Sequence, residues 1–227
     1  YGCYSSGLYC RRDRQVSCVL PPIAMLDHLE LPVNEIFYSL QGEGAQVGLP
    51  MVFIRLSSCN LRCSYCDTDF SSFTPMSLEA IFGELTSFPT HNILWTGGEP
   101  TLHLTEEVVG FFHQKGYRQS IETNGTRPVP RGIDYVTCSA KPEAFPLLWE
   151  NFPHGVDEWR FPFGASAPLP PAIESIPPAR TYCLSPIYEP GEAILQPPHA
   201  LEECIEYIKQ HPTWRLSIQL HKIIGIQ

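Results

Sequence analysis

Between Met51 and Cys138 the chain alternates short apolar runs with helical periods, and this alternation restricts the fold more than any other feature. Met51–Leu56, Asn92–Trp95, Arg118–Glu122 and Ile133–Cys138 each read as a strand. Ser77–Ser87 separates the first two, with Ser77 as a cap and Leu78, Ile81, Phe82 and Leu85 on one face. Thr105–Gln114 separates the second and third, with Thr105 as a cap, Glu106 and Glu107 in its first turn and Gly116 past its end. Such alternation builds parallel βαβ units. Val156–Phe161 and Thr181–Leu184 read as a fifth and sixth strand, Leu201–Gln210 as a last helix, and Arg215–Ile224 as a final strand-like segment. The later half is poor in helix: Ala140–Pro153 is short and proline-broken, and Phe161–Pro178 is proline-rich. The expected fold is α/β, a truncated (β/α) barrel of about six parallel strands with about three helices.

The polar and glycine-bearing stretches each follow a strand: Ser57–Thr68, Thr96–Pro100, Glu122–Gly125, Ser139–Lys141 and Ser185–Tyr188. Ligands gather at the carboxyl ends of parallel strands, so these loops predict one functional rim. The first contains Cys59, Cys63 and Cys66 at C-x3-C-x2-C spacing, with Tyr65 before the last thiol. Three thiolates can hold three irons of a cubane cluster and leave the fourth without a protein ligand, whereas most protein-held clusters take four cysteines. An open iron points to chemistry rather than electron storage. A structural zinc site is the alternative; it needs a fourth ligand, and neither Asp67 nor His91 stands at a usual zinc spacing.

Two further features carry weight. Arg55 is a charge embedded in an apolar strand, which calls for a carboxylate partner or an anionic ligand. Gln41-Gly42-Glu43-Gly44 follows the alternating run Val33–Leu40; its glycines allow close backbone approach to a ligand, and on its own it is an ordinary turn.

Length and charge bound the function. At 227 residues and 43% hydrophobic content the chain forms one domain with a sizeable core. A net charge of -9 gives no global basic field for nucleic acid, which favours a small-molecule substrate. No apolar run reaches the roughly 20 residues of a membrane span. Nine cysteines, odd in number and tightly clustered in part, read as reduced thiols of a cytoplasmic protein. Cys138, Cys183 and Cys204 fall in apolar surroundings and read as core residues. Residues 1–24 carry Cys3, Cys10, Cys18 and the basic patch Arg11–Arg14 without any sustained period. They are expected to be an extension outside the fold, with Met25 near the natural start and residues 25–227 forming the domain.

The cysteine loop followed by Gly97-Gly98-Glu99-Pro100 resembles the radical S-adenosylmethionine (SAM) superfamily. Around these motifs stand Asn34-Glu35-Ile36-Phe37, Leu40-Gln41-Gly42-Glu43-Gly44, Phe53-Ile54-Arg55-Leu56, Cys66-Asp67-Thr68, Glu122-Thr123-Asn124-Gly125, Ser139-x-Lys141 and Ser217-x-Gln219-x-His221-Lys222. From about Leu31 onward this series resembles the 7-carboxy-7-deazaguanine synthase family of queuosine and deazapurine biosynthesis. The resemblance implies a truncated barrel of radical SAM type, and a lyase that converts 6-carboxy-5,6,7,8-tetrahydropterin to 7-carboxy-7-deazaguanine with loss of ammonia. It implies a [4Fe–4S] cluster on Cys59, Cys63 and Cys66, SAM regenerated in each turnover, and Mg²⁺ on Thr68. It assigns Leu40, Gln41, Gly42, Arg55, Thr96 and the terminal Gln227 to the pterin, with Arg55 meeting its carboxylate. It assigns Gly98, Glu99, Glu122, Asn124, Ser139, Ala140, Lys141 and Ser185 to SAM. A flavodoxin- or ferredoxin-type electron donor and a homodimer also follow from it. Two other readings compete: a glycyl-radical activase, which shares the cysteines and G-G-E-P but not L-Q-G-E-G with the embedded arginine, and a structural metal protein without turnover.

Overall fold

A computed structural model of the chain describes residues 29–64, 66, 72–188 and 198–227. The extension expected at 1–24 lies outside these residues, as does Thr68.

The chain builds nine strands and five α-helices among the described residues, in the order β1 (Glu30–Leu40), β2 (Pro50–Leu56), β3 (Thr74–Ser77), α1 (Leu78–Leu85), β4 (Asn92–Gly97), α2 (Glu106–Gln114), β5 (Arg118–Thr123), β6 (Tyr135–Cys138), α3 (Leu148–Asn151), β7 (Val156–Phe163), β8 (Ala179–Pro186), α4 (Ala200–Gln210), β9 (Arg215–Leu216) and α5 (Leu220–Ile224). All strands join one sheet in the order β3-β1-β2-β4-β5-β6-β7-β8-β9. β1 runs antiparallel to both its neighbours, and every other pairing is parallel.

The parallel centre follows from composition. Ile93, Leu94 and Trp95 are all buried, as expected of a strand covered on both faces. Trp95 donates its indole N–H to Gln119 at 3.0 Å, and Gln119 in turn donates to the Val109 carbonyl, so the polar atoms of this core are satisfied. Ser77 caps α1 through the Ala80 amide and Thr105 caps α2 through the Val108 amide. Those two helices cover one apolar cluster with β1, β2, β4 and β5; α3 and α4 cover a second with β6, β7 and β8. The weak crossover after Lys141 is a 3-10 stretch, Pro142–Leu147, leading into the single turn of α3.

Two expectations are corrected. The sheet has an antiparallel flank, β3 and β1, beyond the parallel strands. Arg215–Ile224 is not one strand: pairing stops after Leu216. The Ser217 amide still reaches the Leu184 carbonyl, but the Ser217 hydroxyl accepts from the Gly44 amide and the Leu220 amide donates to the Gly42 carbonyl. Hydrogen bonding that would extend the ladder goes instead to the loop after β1, and the chain coils into α5.

These contacts also bend the sheet. β1 and β7 stand five pairings apart, about 24 Å across a flat sheet. The loop between β1 and β2 is folded on itself, with the Gly48 amide on the Gln41 carbonyl at 2.7 Å, so it is far from its extended reach. Yet its Ala45 amide donates to Glu158 of β7 at 2.7 Å. At the other side the Ser39 hydroxyl donates to the Gln227 carbonyl, which brings the segment after β9 back onto β1.

Candidate active site

The carboxyl ends of β2, β4, β5, β6 and β8 converge on one cavity of about 440 Å³. From β2 come Cys59, Cys63 and Cys66, and from β4 come Thr96, Gly97 and Gly98. β5 contributes Glu122, Thr123 and Asn124, β6 leads to Ser139 and Lys141, and β8 leads to Ser185, Ile187 and Tyr188.

The cysteine loop is fixed by the glycine turn beside it. The Gly98 amide donates to the Leu56 carbonyl and the Glu99 amide to the Ser58 carbonyl, both at 2.9 Å, while His103 bonds the Ser57 carbonyl. Ser58 adopts φ 69°, a left-handed conformation that a non-glycine residue holds only under local constraint. A side chain at Gly98 would run into the Ser58 carbonyl, so this close approach demands glycine. The Leu61 amide lies 3.5 Å from Cys59 Sγ, and the Asn124 side-chain amide 3.8 Å from it. Asn124 also donates to Asn60, and Asn60 to Thr126, which ties the cysteine loop to the end of β5.

Cys59, Cys63 and Cys66 are at least partly exposed, whereas Cys138, Cys183 and Cys204 are buried. Burial pushes the Cys138 thiol well above its ordinary pKa, with the Glu99 carboxylate adding to the effect. Three accessible soft donors on one cavity wall, one of them facing N–H donors, fit a three-thiolate iron–sulfur cluster. Glu99 does not line the cavity. Its carboxylate is fully buried and accepts from the Thr101 amide and hydroxyl, the Thr123 hydroxyl and the Asn124 amide. It holds the two strand ends together, so only its backbone is left to meet a ligand. Ala140 is likewise buried, outside the lining.

A second cavity of about 160 Å³ adjoins the first, with Glu43, Thr96, Glu122 and Gln219 in the walls of both. Leu40, Gln41, Gly42, Arg55, Thr96 and Gln227 all line it, so six residues scattered from β1 to the last position meet in one place. Arg55 pairs through Nε with Glu35 at 2.6 Å and lies over the Phe37 ring. Phe37 stacks on Phe53 at 4.8 Å, giving this cavity a flat aromatic wall. Gln227 Nε2 donates to the other oxygen of Glu35.

Sequence reasoning missed Arg160 in these walls, and placed Glu43, Gln219, His221 and Lys222 in its motifs without assigning them to a ligand. Arg160 contacts Glu158, Glu122 and Glu43. Burial opposes its charge, but the three carboxylates raise its pKa further above the ordinary value. Burial also acts to raise Glu122, yet Arg160 and the bonds from Gln41 and Thr96 hold its carboxyl below the ordinary range. The signal for Arg160 lay in the alternation of Glu158-Trp159-Arg160-Phe161, which puts both charges on one face of a strand.

A parallel-centred sheet with three thiols and a glycine turn at its strand ends defines a radical SAM enzyme, and the family model for the radical SAM superfamily matches residues 54–144. The fold agrees: the crystal structure of QueE from Escherichia coli superposes with a TM-score of 0.64 at 24% identity, over 87% of this chain and 98% of that one. Relatives extend the match in sequence. 7-Carboxy-7-deazaguanine synthase of Bacteroides thetaiotaomicron is 38% identical over 86% of this chain and 98% of its own length, and that of Haemophilus influenzae is 37% identical over 86% and 93%. The chain belongs to the 7-carboxy-7-deazaguanine synthase family. Membership of the superfamily implies a [4Fe–4S] cluster and SAM, and the family match implies a small-molecule substrate. The full-length match to 7-carboxy-7-deazaguanine synthases disfavours both the activase and the structural metal protein.

Proposed function

We propose that this chain converts 6-carboxy-5,6,7,8-tetrahydropterin to 7-carboxy-7-deazaguanine with release of ammonia, in queuosine or deazapurine biosynthesis. The observation that carries this reading is the pair of adjoining cavities. The larger has the thiols together with Asn124, Ser139, Lys141 and Ser185, and the smaller has an aromatic wall and an arginine.

Cys59, Cys63 and Cys66 hold the cluster in this reading. When bound, it supplies the electron that cleaves SAM to methionine and the radical that takes hydrogen from C6 of the pterin. Gly98 and the Glu99 backbone accept the SAM ammonium, while Asn124, Ser139, Lys141 and Ser185 address its ribose and carboxylate; Ala140 supports that turn from beneath. Arg55 meets the pterin carboxylate, and the stacked Phe37 and Phe53 wall the ring on one side. Leu40, Gln41, Gly42, Thr96 and Gln227 complete the substrate wall. Glu122 stands between the two ligands. Thr68 offers a hydroxyl to Mg²⁺, a hard cation suited to a hydroxyl, waters and a substrate carboxylate.

The bent sheet supports a truncated barrel of radical SAM type. The accessible thiols support a reducing, cytoplasmic setting, and the reaction calls for a flavodoxin- or ferredoxin-type donor. The homodimer rests on the family resemblance. The test is incubation of iron- and sulfide-reconstituted protein with the carboxypterin, SAM and a reductant. Formation of 7-carboxy-7-deazaguanine is expected, with loss of both product and visible absorbance in Cys63→Ala. Thr68→Val is expected to blunt the Mg²⁺ dependence. A coloured protein that cleaves SAM but makes no deazaguanine would refute the substrate.

A further inference from the structure

β7 carries three charges in an otherwise apolar run, and Asp157 is taken up by Arg180 and the Val136 amide. Glu158 and Arg160 share one face, while Trp159 and Phe161 sit in the core on the other. Glu158 is fully buried and Arg160 is 5% exposed. The guanidinium meets three carboxylates from three parts of the chain: Glu158 at 2.8 Å, Glu122 at the end of β5 at 2.9 Å, and Glu43 in the loop after β1 at 3.2 Å. Among the described residues, Arg160 lies within ion-pair distance of all three acids, and the Lys141 charge also acts on Glu43. Their hydrogen-bond donors Gln41, Thr96 and Ser185 are neutral. Glu43 and Glu122 line both cavities, and Arg160 lines the larger one. The two carboxylates therefore form part of the partition between cofactor space and substrate space.

We propose that Arg160 is a positioning residue of the reaction, holding Glu43 and Glu122 in that partition and so setting how the pterin meets the SAM-derived radical. The proposal rests on the pterin reading above. With a neutral residue at 160, three carboxylates face one another without the guanidinium that contacts all of them, and they separate or take up a proton. The partition then shifts, and a misplacement of about 1 Å costs about 100-fold in rate. Lysine keeps the charge as a point donor but loses the planar fork that reaches several acceptors.

Arg160→Gln and Arg160→Lys, each in the wild-type chain and with Glu122→Gln, test this. The first readout is the 5′-deoxyadenosine released per deazaguanine formed, because a misaligned pterin lets the radical be quenched without product. That ratio is expected to rise about 100-fold in R160Q and less in R160K. The second readout is equilibrium affinity of the oxidised protein for the carboxypterin. R160Q is expected to weaken it about tenfold in the wild-type chain but less than about threefold in E122Q, because Arg160 acts partly through Glu122. An unmoved ratio with lower total turnover, or equal weakening in both backgrounds, overturns the proposal and leaves Arg160 a folding residue. If R160Q does not fold, R160K in the two backgrounds decides by the same criteria. Wild-type protein that makes no deazaguanine sinks the functional reading and this proposal with it; normal wild-type product with unmoved variants sinks this proposal alone.

Discussion

Arg55 shows how one side chain answers to two demands. Its Nε is held by Glu35, and Glu35 is held in turn by Gln227, so the guanidinium is fixed before any ligand arrives. A hydrogen bond to a charged group contributes about 1.5–3 kcal/mol, so Arg55→Met is expected to raise KM for the carboxypterin by about 10- to 100-fold. Steady-state kinetics with the pterin and with SAM varied separately check this, and an equal rise in both constants would count against it. The cysteines divide on similar grounds. Burial pushes Cys183 and Cys204 up to about 12, and Cys138 is raised as well. In metal-free protein at mildly alkaline pH, alkylation followed by mass spectrometry is expected to label Cys59, Cys63 and Cys66 while sparing those three. Spacing alone already separated the two groups in the sequence, because C-x3-C-x2-C is local. Arg160 was less legible: the strand alternation puts it beside Glu158, but its other two partners come from residues 43 and 122, and no local pattern joins those.

At the scale of elements, β7 is where charge and fold meet. Glu122 has its carboxyl depressed by Arg160 and by neutral donors, against the opposing effect of burial. A depressed folded pKa gives stability that is fully present above the unfolded value of 4.5 and is lost as pH falls through the folded one. Urea denaturation below pH 4.5 is therefore expected to show wild-type stability falling more steeply than that of Glu122→Gln. Parallel slopes would remove Glu122 from the acid response. The parallel strands and the capped helices were legible, because continuous apolar runs and Ser77 or Thr105 before a helical period are local signals. The antiparallel β3 was not, since Thr74–Ser77 is short and has two exposed residues. The end of β9 was not either. Ser217 and Leu220 look strand-like until the loop around Gly42 and Gly44 takes their hydrogen bonds.

The molecule as a whole draws its substrate wall from both ends of the described chain, β1 with its following loop and the segment after β9. Residues 1–24 carry no sustained helical or strand period and the superfamily match begins after them, so removing them is expected to leave the melting temperature and pterin turnover within about 0.5 kcal/mol of the parent in free-energy terms. Calorimetry and the product assay on the shortened chain check this; a large loss of either would make those residues part of the domain. The rim of strand ends was legible from sequence because each loaded loop follows its own strand. The joining of the two chambers was not, since it depends on how far the sheet curls.

Glu43, Thr96, Glu122 and Gln219 are common to both chambers, so the pair amounts to one conduit with a waist rather than two separate sockets. A molecule carrying an adenosine at one end and a flat bicyclic ring at the other could thread that waist. Each half would then present the other at an effective concentration in the millimolar range, and an inhibitor joined across the waist would outbind the sum of its fragments.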